Sequence, residues 1–168
     1  MKKYILDLNV VSVEPLSDKH ILIKLTDEKP LPEILPGQFV EVKVEHSPTT
    51  MLRRPISINY VDRENNQLWL LVAMIGDGTR QLGQLKAGDS LNCMLPLGNG
   101  FTMPTEKSQK YLLVGGGVGV APMLPIIKAL KAAGNRVLSV IAGRSKDLVI
   151  MEDEVRASSD ELIIMTDD

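Results

Sequence analysis

Along the first hundred or so residues, apolar and polar side chains alternate with a period of two, the spacing that puts one set on a buried sheet face. Leu6, Leu8 and Val10 interleave with Asp7 and Asn9; Ile21, Ile23 and Leu25 with His20 and Lys24; Val40, Val42 and Val44 with Glu41 and Lys43. Further strands are expected over Ile56 to Val61, Leu68 to Met74 and Ser90 to Leu95. Turn residues punctuate them at Pro36-Gly37, Asn65-Asn66 and Gly88-Asp89, and no long helical pattern intervenes. Six short strands at this spacing predict a small antiparallel barrel or sandwich.

After the polar stretch Pro104 to Lys110 the pattern changes. Tyr111 to Val114 is a short apolar strand that runs into Gly115-Gly-Gly-Val-Gly119. Met123, Ile127 and Leu130 then recur at helical spacing, with Pro122 in the first turn and Gly134 placed to end the helix. A second apolar run, Val137 to Ala142, precedes a helix expected to carry Leu148, Met151 and Val155, and a third run spans Leu162 to Met165. Strand, helix, strand, helix, strand is the βαβαβ half of a doubly wound parallel sheet. The expected units are residues 1–102 and 108–168. Parallel strands are normally covered on both faces, yet the sequence stops three residues after Met165. The expectation is an incomplete α/β unit, either part of a longer polypeptide or a sheet completed by a partner.

Composition narrows the classes. The 168 residues are 44% hydrophobic and 24% charged, as in an ordinary globular protein. Nineteen basic residues against twenty-one acidic give a net charge of −2 with no long run of either sign, which argues against nucleic acid as a partner. The single cysteine, Cys93, forms no internal disulfide and cannot by itself assemble a metal site, favouring a reducing compartment. No stretch approaches the ~20 apolar residues of a membrane helix, so no membrane association and a cytoplasmic location are expected.

The candidate chemistry lies in loops. Gly115, Gly117 and Gly119, between a strand and a helix, sit where backbone amides and a helix dipole receive a pyrophosphate; the sixth position, Val120, departs from the G-x-G-x-x-G pattern. No acidic residue ends the following strand, where such sites often bind ribose; Arg144 stands there, leaving NAD or NADP open. Arg54-Pro55-Ile56-Ser57 offers a forked cation suited to phosphate and a hydroxyl three residues on; an ordinary strand entry with an exposed charge is the alternative. Gly76-Asp-Gly-Thr-Arg80 precedes a helical turn expected over Gln81 to Leu85, and reads either as an amide-rich anion site or as a glycine turn. His20 and His46 have no carboxylate or cysteine at ligand spacing and read as surface residues, Trp69 as core, and Cys93 as a buried small hydrophobe. No acid-base pair or nucleophile constellation is present, which leaves the chemistry to cofactors.

Arg-Pro-Ile-Ser, Gly-Asp-Gly-Thr-Arg, Pro-Leu-Gly-Asn-Gly-Phe (Pro96 to Phe101) and Gly-Gly-Gly-Val-Gly-Val-Ala-Pro, in that order, resemble the ferredoxin reductase superfamily across essentially the whole chain. Arg54 to Ser57, the Pro96 to Phe101 loop and the closing Thr166-Asp167-Asp168 look most like the electron-transfer subunits of dihydroorotate dehydrogenase B. The resemblance implies a six-stranded Greek-key barrel that binds FAD, an NAD-binding α/β domain, and in full-length members a segment whose cysteines hold a [2Fe-2S] cluster. It implies FAD contacts at Arg54, Pro55, Ile56, Ser57, Leu71, Val72, Ala73, Gly78 and Thr79, and NAD contacts at Gly115, Gly116, Gly117, Val118 and Gly119. Ile56 stands where the superfamily often has an aromatic residue, and the cluster cysteines are absent from this sequence. The implied partner is a catalytic FMN subunit that oxidises dihydroorotate, in a heterotetramer. Other readings are a reductase subunit serving sulfite reduction, hydrogenase or glutamate synthase, or a non-catalytic docking fragment.

Overall fold

The computed structural model describes residues 2–45, 47 and 50–168. Six strands, β1 (Tyr4–Ser17), β2 (His20–Thr26), β3 (Phe39–Val42), β4 (Arg54–Asp62), β5 (Gln67–Ala73) and β6 (Ser90–Leu97), close into a barrel in the order β1-β2-β5-β4-β3-β6. All six pairings are antiparallel. Period-two alternation drives the closure: Leu8, Ile23, Leu25, Val40, Val42, Leu68, Leu70, Cys93 and Leu95 are fully buried in one cluster. Strand β1 runs seven residues past the alternation at Leu6 to Val10, because register shifts after Val10 and after Pro15 break the period while pairing with β2 continues.

Helix α1 (Asp77–Leu82) joins β5 to β6. It begins four residues before the helical turn expected at Gln81. The Thr79 hydroxyl accepts from the Gly76 amide at 3.1 Å and donates to the Gly76 carbonyl at 3.0 Å, and Asp77 lies at the positive end of the helix dipole.

Beyond residue 109 come β7 (Lys110–Gly116), α2 (Met123–Ala132), β8 (Arg136–Gly143), α3 (Glu152–Ser158) and β9 (Glu161–Thr166). The three strands form a parallel sheet in the order β7-β8-β9. The single helix expected through Leu148, Met151 and Val155 is a 3-10 turn at Lys146–Leu148, an extended Val149, and then α3, entered through Met151 at φ 62°. Leu113, Val137, Ile141, Leu162 and Ile164 pack under α2 and α3 with Met123, Ile127, Leu130 and Val155. On the opposite face Leu112, Val114, Ile163 and Met165 are 48–69% exposed.

The two cores meet along β4 and β5. Leu71 points out of the barrel and is buried among the residues of the second core. Asn59 donates from Nδ2 to the Ala121 carbonyl at 2.9 Å, and both residues are buried. The sequence explains this bond: four residues beyond Ala121, where a helical amide would complete the ladder, stands Pro125, which has no N–H. Beside it, Lys128 of α2 lies 4.2 Å from the centroid of the Tyr60 ring. Trp69, expected in the core, faces outward between Leu68 and Leu70; its ring meets Tyr60 edge-on at 5.3 Å and carries Lys24 at 4.6 Å.

Candidate functional site

Two cavities gather several of the residues singled out from sequence. The first, of about 330 Å³, is lined by Thr50, Arg54, Ile75, Gly76, Asp77, Gly78 and Thr79. It brings the start of β4 against the first turn of α1. The adjacent arginines divide their roles. Arg53 is tied to the barrel wall, donating to the Glu41 and Asn92 carbonyls at 3.2 Å and to the Asn92 side chain. Arg54 lines the cavity and, among the described residues, forms no ion pair with a carboxylate. Asp77, the acid in the same lining, is paired with Arg80 at 3.0 Å.

A Cβ on Gly78 would lie 3.0 Å from Thr50 Cγ2 and 3.2 Å from Arg54 Nε, so a glycine here lets the guanidinium rest against the helix start. A fixed cation beside first-turn amides that have no acceptor within their own helix is a site for a phosphate or pyrophosphate. Thr50 is buried and completes the wall. Neither periodicity nor motif pointed to it.

The neighbouring strand residues present different groups. Pro55 and Ser57 are exposed on the outside of β4, whereas Ile56 turns inward to the barrel core, so its side chain offers no stacking surface. On β5, Val72 also points into the barrel and Leu71 is sealed against the second core, while Ala73 is half-buried. Neither Leu71 nor Val72 therefore offers its side chain to a ligand at this surface. The Pro96 to Phe101 loop is tied to the Pro36-Gly37 turn: Phe101 N donates to the Pro36 carbonyl at 2.8 Å, and Gln38 donates to the Gly98 carbonyl at 3.0 Å. The Gln38 carbonyl in turn accepts from Ile58 N of β4 at 3.1 Å.

The second cavity, of about 350 Å³, lies at the C-terminal ends of β7 and β8 and is lined by His20, Gly116, Gly117, Ala142, Gly143, Arg144, Leu148 and Asp167. In an open parallel sheet this crevice is where ligands bind. The glycines differ in role. A Cβ on Gly115 would collide with Met123 Sδ, so this residue serves the packing of α2 on the sheet. At Gly117, with φ +52°, and at Gly119 a Cβ would meet nothing within 4 Å among the described residues, which leaves the backbone open to an approaching ligand. Val118, between them, is 42% exposed.

His20 differs from its expected place on the surface. It is 9% exposed, and burial, together with the charge of Lys19, pushes its pKa below the ordinary 6.5. His46 lies outside the described residues. Cys93 is buried as expected, and desolvation pushes its thiol up to about 12, which makes it inert. Among the described residues no group of His, Cys, Asp and Glu could hold a metal ion.

No protein-family model matches the chain. It is 40% identical over 163 residues to a protein of Streptococcus thermophilus named dihydroorotate dehydrogenase B (NAD(+)), electron transfer subunit, with 96% of this chain and 62% of that protein covered. A Bacillus mycoides protein of the same name is 39% identical over 133 residues, covering 79% of this chain and 51% of its own length. The chain thus spans between half and two thirds of these relatives. Among solved structures, NADH-dependent reduced ferredoxin-NADP oxidoreductase superposes with a TM-score of 0.83 at 31% identity, covering 95% of this chain and 56% of its own. Phthalate dioxygenase reductase superposes at 0.77 and 24% identity, covering 97% and 52%, and shares the fold.

Proposed function

We infer that this chain, a homologue of the dihydroorotate dehydrogenase B electron transfer subunits with the fold of the ferredoxin reductases, is the flavin-binding and nucleotide-binding part of such a subunit. The observation that carries the reading is the cradle where Arg54 rests against the first turn of α1 over Gly78. A guanidinium with no carboxylate partner among the described residues, set beside amide donors, fits the pyrophosphate of FAD. Ser57, three residues along β4, is exposed and leaves a hydroxyl at the surface next to this strand. The open glycine backbone at Gly117 and Gly119 fits the pyrophosphate of NAD.

The protein's contribution is placement. Arg54, Gly78 and Thr79 hold the flavin nucleotide by its phosphates; the backbone of Leu71 to Ala73 borders its ring; Gly115 to Gly119 shape the approach of the dinucleotide. Bound flavin would supply hydride exchange with a nicotinamide and accept electrons singly from the other side. No side chain is required as acid or base, consistent with the buried, high-pKa Cys93. A [2Fe-2S] cluster does not fit this chain, whose one cysteine is enclosed in the barrel. The partner in this reading is a separate FMN subunit that oxidises dihydroorotate, assembled as a cytoplasmic heterotetramer serving pyrimidine biosynthesis.

A second reading rests on the 31% identity and close superposition with NADH-dependent ferredoxin-NADP oxidoreductase, namely a sister subunit with another acceptor. The test is to load the chain with FAD, add NADH without oxygen, and ask which protein co-purifies from the source cells. Bleaching of the flavin band by NADH and recovery of a dihydroorotate-oxidising partner support the first reading. Bleaching with a different acceptor supports the second, and a chain that takes up no flavin refutes both.

A further inference from the structure

We propose that His20, from the barrel, is a phosphate-binding residue of the dinucleotide crevice and makes nucleotide affinity depend on pH. The inference rests on the reading that this crevice takes NAD. His20 lines the cavity together with Gly116 and Gly117, where the pyrophosphate would lie, and Arg144 stands in the same lining at the end of β8. A barrel residue reaches this crevice because β2 pairs with β5 in a register that sets His20 against Ala73, at the edge where the two cores meet.

The ring is held in one orientation. The Ser17 hydroxyl lies 2.9 Å from His20 Nδ1 and also accepts from the Lys19 backbone amide at 3.2 Å. The Ser17 oxygen has a proton and two lone pairs, so it partners Nδ1 in either protonation state; in the imidazolium Nδ1 donates to Ser17 and Nε2 carries the second N–H. That N–H is the donor left for a ligand in the crevice. A phosphate there would favour the imidazolium, which burial disfavours in the free protein. The charged groups around the ring are Lys19 beside it in sequence, and Arg144 and Asp167 across the cavity.

The experiment is equilibrium titration of the full chain with NAD+, ADP-ribose and adenosine between about pH 8 and about pH 5.5, for the wild type, His20→Gln and His20→Ala. The ionised donor makes a hydrogen bond roughly twice as strong, so NAD+ and ADP-ribose are expected to bind about five- to tenfold tighter at the acid end. Adenosine, which has no phosphate, is expected to show no such change. His20→Gln keeps a donor and the fold but has no titration, so its affinity should be flat with pH; His20→Ala should be flat and weaker. Far-UV circular dichroism checks that both variants are folded, and the glutamine variant keeps the test open should the alanine variant unfold. NAD+ binding with the same pH dependence in His20→Gln overturns the inference while sparing the site. The same dependence for adenosine, or its absence for ADP-ribose, overturns the phosphate assignment. A wild-type chain that binds no dinucleotide at any pH overturns the inference and the crevice reading together.

Discussion

Replacing Asn59 with aspartate tests the joint between the two cores. In the wild type, Asn59 Nδ2 satisfies the Ala121 carbonyl that Pro125 cannot reach, while Asn59 Oδ1 is buried with no partner among the described residues. Truncation to alanine removes the bond and orphans a buried carbonyl, at about 1–3 kcal/mol, and also removes the unpartnered Oδ1, so the net loss is expected below about 2 kcal/mol. Aspartate differs at neutral pH. It sets a fully buried carboxylate against a carbonyl oxygen with no donor on either side, and uncompensated buried charge costs about 3–5 kcal/mol. That is a large part of the ~5–15 kcal/mol that holds a domain together. The aspartate pKa would be raised in the fold, so the stability it retains is fully present below the unfolded value of about 3.9 and is lost as pH rises through the folded pKa. Below that folded pKa the carboxyl proton can donate to the Ala121 oxygen. Urea titrations followed by far-UV circular dichroism and by Trp69 fluorescence, beside Tyr60 on the adjoining strands, measure the effect. The expected result is a low midpoint for Asn59→Asp at neutral pH that recovers towards the Asn59→Ala midpoint in acid. An aspartate variant as stable as wild type at neutral pH, or one with no acid recovery, refutes the reasoning.

Cys93, with its thiol pushed up to about 12 inside the barrel, should resist thiol reagents in the native protein and react at once in urea; rapid native labelling contradicts its burial. Asp160, whose pKa is lowered first by its hydrogen bond from Lys131 and then by the Val137 amide, contributes stability above the unfolded carboxylate pKa that is lost as pH falls through the folded one. Asp160→Asn should flatten that acid limb of the stability profile, and an unchanged limb would place its origin elsewhere.

The barrel is legible because alternation at Leu6 to Val10 and at Val40 to Val44 is the direct imprint of one buried face. Where a bulge shifts register, as after Val10, the same code loses phase and the far half of β1 disappears from it. The α1 start differs from the expected one because glycine and aspartate read as a turn, while the local bonds between Thr79 and Gly76 that start the helix use a threonine hydroxyl three residues in rather than a capping side chain at Gly76. The glycine run pointed to the nucleotide crevice, but nothing in it separates Gly115, which admits Met123, from Gly117 and Gly119, which face open space. Asn59 had a readable sign, a carboxamide in a strand of apolar residues, though its partner lies 62 residues away and is set by Pro125. His20 differs from its expected place because alternation tells inside from outside of the barrel and says nothing of what the second unit covers; Trp69 differs because an apolar ring in an apolar run reads as core although it stands on the outward phase between Leu68 and Leu70.

The central claim is that Arg54 and the first turn of α1 hold the phosphates of FAD. Its most direct test is an equilibrium titration of the chain with FAD, read by quenching of flavin fluorescence, for the wild type, Arg54→Ala and Gly78→Val. Loss of a charge-assisted contact of about 1.5–3 kcal/mol corresponds to roughly ten- to hundredfold weaker binding in Arg54→Ala. Gly78→Val, whose side chain would displace Thr50 and the guanidinium, should weaken binding to a similar degree. Stoichiometric FAD binding by the wild type that both variants lose is the expected result; FAD bound equally well by all three chains would contradict the account.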